Sequence, residues 1–202
     1  MIVDGIVLAA GASSRMGTHK PLLPFAGAKL IDAVIARTAP QVRRLAIDVP
    51  RAFAGDYRYP SVVPDLFDAQ HGPVCGIVTG LEWLDGDMLA TFPCDTPFLP
   101  HDLVAQLARH TAPVTVKGMP VCGLWPKAAL GTLRNHVGQS VRGALAALGG
   151  REVEIAAGPH AFFNVNAPAD LREAERLFAQ ADADCRGLPP GSGGASPGPR
   201  TS

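Results

Sequence analysis

Hydrophobic and polar positions alternate in a regular rhythm along most of the chain. Short apolar runs of strand length are separated by longer segments in which apolar residues recur at helical spacing. This rhythm is typical of βα units whose strands pair in a mostly parallel sheet. It predicts a single Rossmann-like α/β domain of three layers, in which helices cover both faces of a twisted, mostly parallel sheet.

The pattern assigns individual elements. We predict strands at residues 2–8, 44–49, 61–63, 87–92, 112–117, 120–125 and 151–155. We predict helices at residues 30–38, 74–84, 101–110, 139–148 and 168–180. In the first of these helices, Leu30, Val34 and Thr38 share one face. Gly118 lies between two predicted strands and indicates a tight turn, so we expect one antiparallel excursion in the sheet.

The two ends of the chain differ from its middle. Residues 185–202 are mostly Gly, Pro, Ser and Ala without an apolar period, so they cannot bury enough surface to offset the entropy of ordering. We therefore predict a domain at residues 1–181 and a disordered tail at 182–202. The apolar run at residues 2–10 has no basic segment before it and is too short to span a bilayer, so we expect no targeting segment and no membrane association.

Charge and cysteine content exclude several classes of protein. Eighteen Lys and Arg residues balance eighteen Asp and Glu residues, which leaves no basic field of the kind that binds nucleic acid. The four cysteines, Cys75, Cys94, Cys122 and Cys185, form no CxxC pair, which argues against a zinc site, a redox motif or a secreted disulfide framework. We expect a cytoplasmic protein that holds any anionic ligand by local contacts.

Residues 8–20 form the most informative segment. They follow the first predicted strand, at the carboxyl edge of the sheet where open α/β folds bind ligands. Gly11 and Gly17 let the backbone approach a phosphate closely, and Arg15 and Lys20 supply positive charge. The spacing fits neither GxxxxGK[ST] nor GxGxxG. It indicates a triphosphate cradle, with a glycine-rich surface loop as the alternative.

Residues 92–100 form the second informative segment. Asp95 follows a predicted buried strand and lies in a loop that three prolines stiffen. Mg²⁺ needs only one or two protein carboxylates when substrate phosphates and waters complete its octahedron. We therefore predict Asp95 as a magnesium ligand, the alternative being an aspartate that caps a turn.

Three more features are expected at the same edge. Asp65 ends the strand that begins near residue 61, and the segment from Gly72 to Gly76 opens a helix whose N-terminus favours negative charge. Asn164 and Asn166 alternate along an extended segment before the last helix, so both amides face one side. Such amides suit recognition of a heterocycle or contact with metal-bound water, although Asn is also common in turns.

These motifs together resemble the molybdenum cofactor nucleotidyltransferases, and most closely their molybdopterin guanylyltransferase branch. The resemblance covers about residues 3–178. Its opening pattern matches residues 8–23, its Gly-Pro-x-x-Gly block residues 72–76, its Pro-Cys-Asp-Thr-Pro block residues 93–97 and its Asn-Val-Asn block residues 164–166. The resemblance implies the nucleotide-diphospho-sugar transferase-like fold and transfer of GMP from GTP to the phosphate of molybdopterin, with Mg²⁺ and with release of pyrophosphate.

The resemblance also implies roles for single residues. Arg15 and Lys20 would contact the triphosphate, Asp95 would bind Mg²⁺, and these three would be the catalytic groups. The nucleotide would also be contacted by the first loop and two later positions: Leu8, Ala9, Ala10, Gly11, Gly17, Asp65 and Gly76. Asn164 and Asn166 would lie toward the pterin. The partners implied are GTP or CTP, molybdopterin or the molybdenum cofactor, and molybdoenzyme maturation proteins.

Three positions depart from the family pattern. Ala10 stands where the guanylyl branch usually has Gly, which matches the cytidylyl branch, and His19 stands where it usually has Asp. Cytidylyl transfer from CTP therefore stays open, as do sugar-phosphate acceptors and a pterin- or cofactor-binding protein without activity. Ala167 replaces a Thr that often caps the last helix, and such a loss costs about 1 kcal/mol of stability.

Overall fold

The central sheet has seven strands in the computed structural model, which describes residues 1–11, 19–67 and 72–186, with side chains as far as residue 181. A separate two-stranded hairpin precedes the first helix. The strands are β1 (Val3–Leu8), β2 (Pro24–Phe25), β3 (Ala28–Lys29), β4 (Leu45–Val49), β5 (Val62–Pro64), β6 (Met88–Pro93), β7 (Val114–Val116), β8 (Met119–Pro126) and β9 (Arg151–Val153).

The sheet is mostly parallel, as predicted. Its order is β5-β4-β1-β6-β8-β7-β9, and the first four of these strands are parallel to one another. β8 runs antiparallel to both β6 and β7, while β9 is parallel to β7. Gly118 joins β7 to β8 with φ of 79°, a left-handed conformation that favours glycine. The expected antiparallel excursion is therefore confirmed.

Six helices surround the sheet in the described part of the chain. They are α1 (Leu30–Thr38), α2 (Pro73–Trp83), α3 (Leu103–Leu107), α4 (Leu130–Arg134), α5 (Val141–Ala147) and α6 (Pro168–Arg186). None of them is long and apolar enough to cross a membrane.

Adjacent residues of β1 show how the three layers form. Ile6 and Val7 are both fully buried, but they point to opposite faces of the sheet, as successive residues of a strand must. Val7 packs in a core with α1 and α3, whereas Ile6 packs with α2, α4 and α5. The parallel strands are thus apolar on both faces, which is why they appear in the sequence as continuous apolar runs.

The last helix is longer than predicted. α6 continues to Arg186, whereas the apolar period predicted an end at residue 180. The added residues include Ala181 and Ala183, and Ala has the highest helix propensity, so the helix can continue without an apolar face to bury. Residues 187–202 lie outside the described part, and the disorder of the tail stays a prediction.

Candidate active site

The carboxyl ends of four parallel strands meet at one edge of the sheet. Leu8 at the end of β1 is level with Asp48 of β4 on one side and with Pro93 of β6 on the other. Asp95 follows β6 after one further residue, and Asp65 directly follows β5. The chain therefore places the end of β1 and three acidic residues at one edge of the sheet, in the position where ligands bind in open α/β sheets.

Lys20 connects the first loop to Asp95. Its Nζ donates to Oδ2 of Asp95 at 2.7 Å and to Oδ1 of Asn166 at 2.9 Å. The side chains of Lys20 and Asp95 keep 12% and 19% of their exposure, so the pair is largely shielded but still reachable from solvent. A charged donor and a charged acceptor are thus held together where a ligand can enter between them.

The segment 164–166 forms the far wall of this site. Val165 is fully buried, and its backbone N–H donates to the carbonyl oxygen of Asp95 at 2.9 Å. The two neighbours of Val165, Asn164 and Asn166, both face the site. Oδ1 of Asn164 accepts from the hydroxyl of Thr96 at 2.5 Å, and Asn166 accepts from Lys20. The expected placement of both amides on one side is observed, although the segment belongs to none of the strands.

The start of α6 holds Asn166 in place. Asp170, in the first turn of the helix, accepts from the backbone N–H groups of Asn166 at 2.9 Å and Ala167 at 2.8 Å. Asp170 thus reaches back to the N–H group at the N-cap position, and negative charge at a helix N-terminus is favourable. The other half of such a capping box, a Thr oxygen at position 167 that accepts from an N–H of the first turn, is what Ala167 cannot supply.

A second group of acids lies at the ends of β4 and β5. Asp48 is 1% exposed, and its Oδ1 has no hydrogen-bond partner among the described residues. Burial, and to a lesser extent the charge of the neighbouring Asp65, raise the pKa of Asp48 to about 8. Asp65 is bonded instead to the hydroxyl of Thr79 at 3.0 Å and to the N–H of Phe67 at 3.1 Å.

Gly76 brings α2 close to this acidic corner. A Cβ atom at position 76 would lie 2.5 Å from Oδ2 of Asp48 and 2.8 Å from Cδ2 of Leu8. Both distances are shorter than carbon atoms tolerate, so only glycine allows this approach of the helix to β1 and β4. The glycine predicted as a nucleotide contact thus has a packing role that the structure shows directly.

The donors at Asp95 fit a hard cation. No group of three His, Cys, Asp or Glu side chains that could hold a metal occurs within residues 1–11, 19–67 and 72–186. Asp95 nevertheless offers a carboxylate that is reachable from solvent and whose present partners are Lys20 and Thr96. A Mg²⁺ ion that takes most of its ligands from substrate and water needs no more than this.

Comparison with known proteins identifies the family. The chain matches the MobA-like NTP transferase domain over residues 5–154, which is most of its length. It belongs to the MobA-like NTP transferase family. It is 36% identical to a molybdenum cofactor guanylyltransferase of Mesorhizobium japonicum over 205 residues, a match that covers 87% of this chain and 96% of the relative. A relative of the same name from Cereibacter sphaeroides is 38% identical over 194 residues, covering 88% of this chain and 98% of the relative.

A solved structure agrees with the fold. The molybdopterin-guanine dinucleotide biosynthesis protein A of Archaeoglobus fulgidus superposes with a TM-score of 0.70 at 21% identity, covering 88% of this chain and 99% of that one. The family predicted from the four motifs is therefore confirmed, and so is the fold class.

The positions predicted for a MobA-like transferase form two groups in space. Lys20, Asp95, Asn164 and Asn166 form one connected group through the contacts described above. The other group lies around Asp48: Leu8, Ala9, Ala10 and Gly11 continue from β1, and Asp65 and Gly76 lie beside Asp48. Arg15 and Gly17 lie outside the described residues. The functional roles assigned to all of these residues stay predictions.

Sequence reasoning missed Asp48. It lies inside the apolar run that became β4, and we treated that run only as a strand. A charged residue is rarely fully buried unless it is paired, so an Asp among Ala, Ile and Val was a signal of an unusual environment. That signal, together with the position at the end of a parallel strand, would have identified it.

Proposed function

We propose that this MobA-like transferase transfers GMP from GTP to the phosphate of molybdopterin and releases pyrophosphate. The observation that carries the proposal is the group formed by Lys20, Asp95 and Asn166 at the carboxyl edge of the parallel strands. The curated relatives, which share more than a third of their residues with this chain, bear the name molybdenum cofactor guanylyltransferase. Site chemistry and family thus favour the same reaction.

The reaction needs positioning more than covalent help from the protein. An oxygen of the molybdopterin phosphate attacks the α-phosphorus of GTP. The bond between the α-phosphorus and the oxygen that bridges it to the β-phosphorus breaks, and pyrophosphate leaves with the electron pair. A phosphate monoester has a second pKa of about 6, so its dianion is nucleophilic at neutral pH without a general base. Holding two phosphates in line and balancing their charge then accounts for most of the catalysis.

Lys20 and Asp95 have complementary tasks in this scheme. The ammonium of Lys20 binds the oxygens of the triphosphate, and Arg15 adds positive charge from the same loop. Asp95 is the residue that would hold Mg²⁺, and the ion would supply positive charge to balance the phosphate oxygens. Because Lys20 and Asp95 are 2.7 Å apart, both act on the same polyphosphate.

Asn164 and Asn166 belong to the acceptor side. Both amides lie on the segment that precedes α6, where Asn164 accepts from Thr96, next to Asp95, and Asn166 accepts from Lys20. An amide both donates and accepts, so it suits the acceptor phosphate or the polar edge of a pterin. These residues place the attacking oxygen near the α-phosphorus.

GTP is favoured over CTP. The quoted relatives are named guanylyltransferases, and the acidic corner at Asp48 and Asp65 supplies acceptors beside the first loop. Guanine offers two donor groups along its pairing edge whereas cytosine offers one, and a site with acceptors for a substrate donor rejects an analogue that lacks it. Ala10, the feature that resembled cytidylyltransferases, is not sufficient to favour CTP.

Pyrophosphate release tests the proposal. Purified protein is assayed with GTP or CTP, with molybdopterin or a sugar phosphate, and with Mg²⁺ or a chelator. We expect release that requires GTP, molybdopterin and Mg²⁺ together. Faster release with CTP would overturn the choice of base, release only with a sugar phosphate would overturn the acceptor, and no release in any combination would favour a binding protein without activity.

A further inference from the structure

A cluster of aromatic side chains surrounds the residue before Lys20. The ring of His19 stacks on Phe53 with centroids 4.5 Å apart and planes 17° from parallel. Tyr57 meets the same ring edge-on at 5.4 Å, and its hydroxyl lies 2.6 Å from Nε2 of His19. His19 is therefore held by one stacking contact and one hydrogen bond, neither of which belongs to the group at Asp95.

The hydrogen bond runs from Tyr57 to His19. Tyr57 is 5% exposed, and burial raises the pKa of its phenol, which therefore keeps its proton. A buried hydroxyl proton needs an acceptor, and Nε2 of His19 is the one that the described residues provide. Burial lowers the pKa of His19, against an opposing effect of Asp56, and a neutral ring with an accepting Nε2 results.

The aromatic cluster is itself anchored to the fold. Phe53 and Tyr57 lie on the segment between β4 and β5, and Phe53 belongs to a 3₁₀ turn at Arg51–Asp56. Tyr57 is 5% exposed and packs in the same core as Val7 of β1 and Val49 of β4. The ring of Tyr57 therefore has a fixed position relative to the sheet.

His19 also restrains the backbone at Lys20. Its carbonyl oxygen accepts from the N–H of Leu22 at 3.0 Å and so begins the 3₁₀ turn Lys20–Leu22. The backbone at Lys20 is thus tied to the side chain of its neighbour, and the long Lys20 side chain starts from a defined point. Without that point, reaching Asp95 and Asn166 would cost additional conformational entropy.

We propose that His19 is a positioning residue, which Phe53 and Tyr57 hold so that the ammonium of Lys20 stays directed at Asp95 and Asn166. The structural part of this inference stands on the contacts of the protein without ligands. Its effect on turnover rests on the proposed function, because it requires Lys20 to bind the transferring phosphates. A displacement of a group that contacts the transition state lowers kcat even when the fold is unchanged.

Nuclear magnetic resonance of the lysine ammonium groups tests the structural part without any substrate. The chain has four lysines, and the Lys20→Met variant identifies the Lys20 signal. We expect a Lys20 signal that exchanges slowly with water in the parent, because two partners hold it. The Tyr57→Phe and His19→Phe variants should broaden or lose that signal, since each removes the hydrogen bond while keeping a ring in place.

A matched control comes from the same cluster. Tyr59→Phe removes a hydroxyl that bonds Asp32 and makes no bond to His19. We expect it to lower thermal stability while leaving the Lys20 signal unchanged. A loss of the Lys20 signal in this control would mean that the cluster acts only through general stability, and the inference would be wrong.

Kinetics test the functional part. We expect kcat to fall about 5- to 20-fold in Tyr57→Phe and in His19→Phe, with the KM for GTP within about twofold of the parent. The double variant should be no slower than the worse single variant, because both changes break one interaction. His19→Gln, which keeps a polar atom near Nε2, should recover part of the loss.

Two results would separate the possible failures. A parent-like Lys20 signal and kcat in Tyr57→Phe, with only the melting temperature lowered, would show that the cluster is merely structural. Loss of the Lys20 signal in a protein that never transfers GMP would support the positioning of Lys20 while overturning the proposed function.

Discussion

Asp4 and Asp95 occupy opposite edges of the same sheet and are bound in very different ways. Asp4, near the start of β1, is fully buried and accepts from the side chains of Arg43 and Arg44 and from the backbone N–H groups of Asp85 and Gly86. Asp95 stays partly exposed and has one charged partner, Lys20.

The difference shows how burial and the number of partners separate a carboxylate that only holds the fold together from one that is able to bind a ligand. A carboxylate with four donor residues cannot accept a ligand without losing several bonds, so Asp4 can only join β1 to the loops beside it. A carboxylate with one exchangeable ammonium can take a cation or adjust to a polyphosphate. Asp48 is a third case, since it is as buried as Asp4 but has an oxygen without a partner.

Removal of the Asp95 charge should have the largest effect. We expect Asp95→Asn to lower kcat/KM for GMP transfer by about 10³-fold or more, equivalent to about 4 kcal/mol, because the metal loses its carboxylate. The melting temperature should change by only a few degrees. Steady-state assays and thermal unfolding measure the two effects, and turnover within about threefold of the parent would contradict the role of Asp95.

The same substitution at Asp4 should have the opposite profile. We expect Asp4→Asn to lower the free energy of unfolding by about 2–4 kcal/mol, while kcat of the folded protein stays near that of the parent. Denaturant unfolding at pH 7 measures the loss. If Asp4→Asn instead lowered kcat without lowering the free energy of unfolding, the proposed difference between Asp4 and Asp95 would be wrong.

The pH dependence of Asp4 sharpens this test. Burial would raise the pKa of Asp4, but the bonds from Arg43 and from the N–H of Asp85, with the charges of both arginines, outweigh it and hold the pKa below its usual 3.8. The stability that a lowered pKa contributes is present above the unfolded-state value and is lost as the pH falls through the folded-state value. The difference in the free energy of unfolding between the parent and Asp4→Asn should therefore persist down to about pH 4 and shrink below it.

Asp48 should show the reverse pH dependence. Its pKa is raised from 3.8 to about 8, so its ionisation costs stability progressively as the pH rises between these values. Asn cannot ionise, and we expect Asp48→Asn to be more stable than the parent by more than about 2 kcal/mol at pH 8.5 and by clearly less at pH 4.5. Glu175→Gln, on an exposed part of α6, is the control for the loss of a carboxylate from the surface. A constant difference across this range would contradict the raised pKa.

An exposed ion pair should give the smallest effect. Lys117 and Glu154 are 2.7 Å apart, but their side chains keep 64% and 78% of their exposure. Water and salt screen such pairs, so Lys117→Met should move the melting temperature by no more than about 1 °C. A shift as large as that of Asp4→Asn would show that partner number and burial do not explain the comparison.

The long apolar runs and helical periods were the predictable part of the fold. The helix at residues 30–38 is predicted with both ends correct, because its apolar face spans these residues and Pro40 follows directly after Ala39. The hairpin of β2 and β3 was missed, since strands of two residues carry no period. Its turn holds Ala26 at φ of 49°, which no sequence rule predicts for an alanine.

Local motifs predicted the site better than patterns did. The loop ending at Lys20 and the Asp95 segment were each placed at the edge of the sheet by the strands before them, and the structure brings Lys20 and Asp95 together. The contacts made by Asp48, His19 and Tyr57 could not be predicted, because they join segments that are distant in sequence and depend on how α2 and the turn after β4 pack.

The reversed direction of β8 gives the two flanks of Asp95 different kinds of chain connection. Since β8 runs against β6, it begins where β6 ends, and the hairpin at Gly118 lies at the same edge of the sheet as Asp95. One flank is formed by the parallel strands β1, β4 and β5, and the other by a short hairpin and the segment before α6. Under the proposed function, we expect changes in the second flank to alter the acceptor while the triphosphate half of the reaction is preserved.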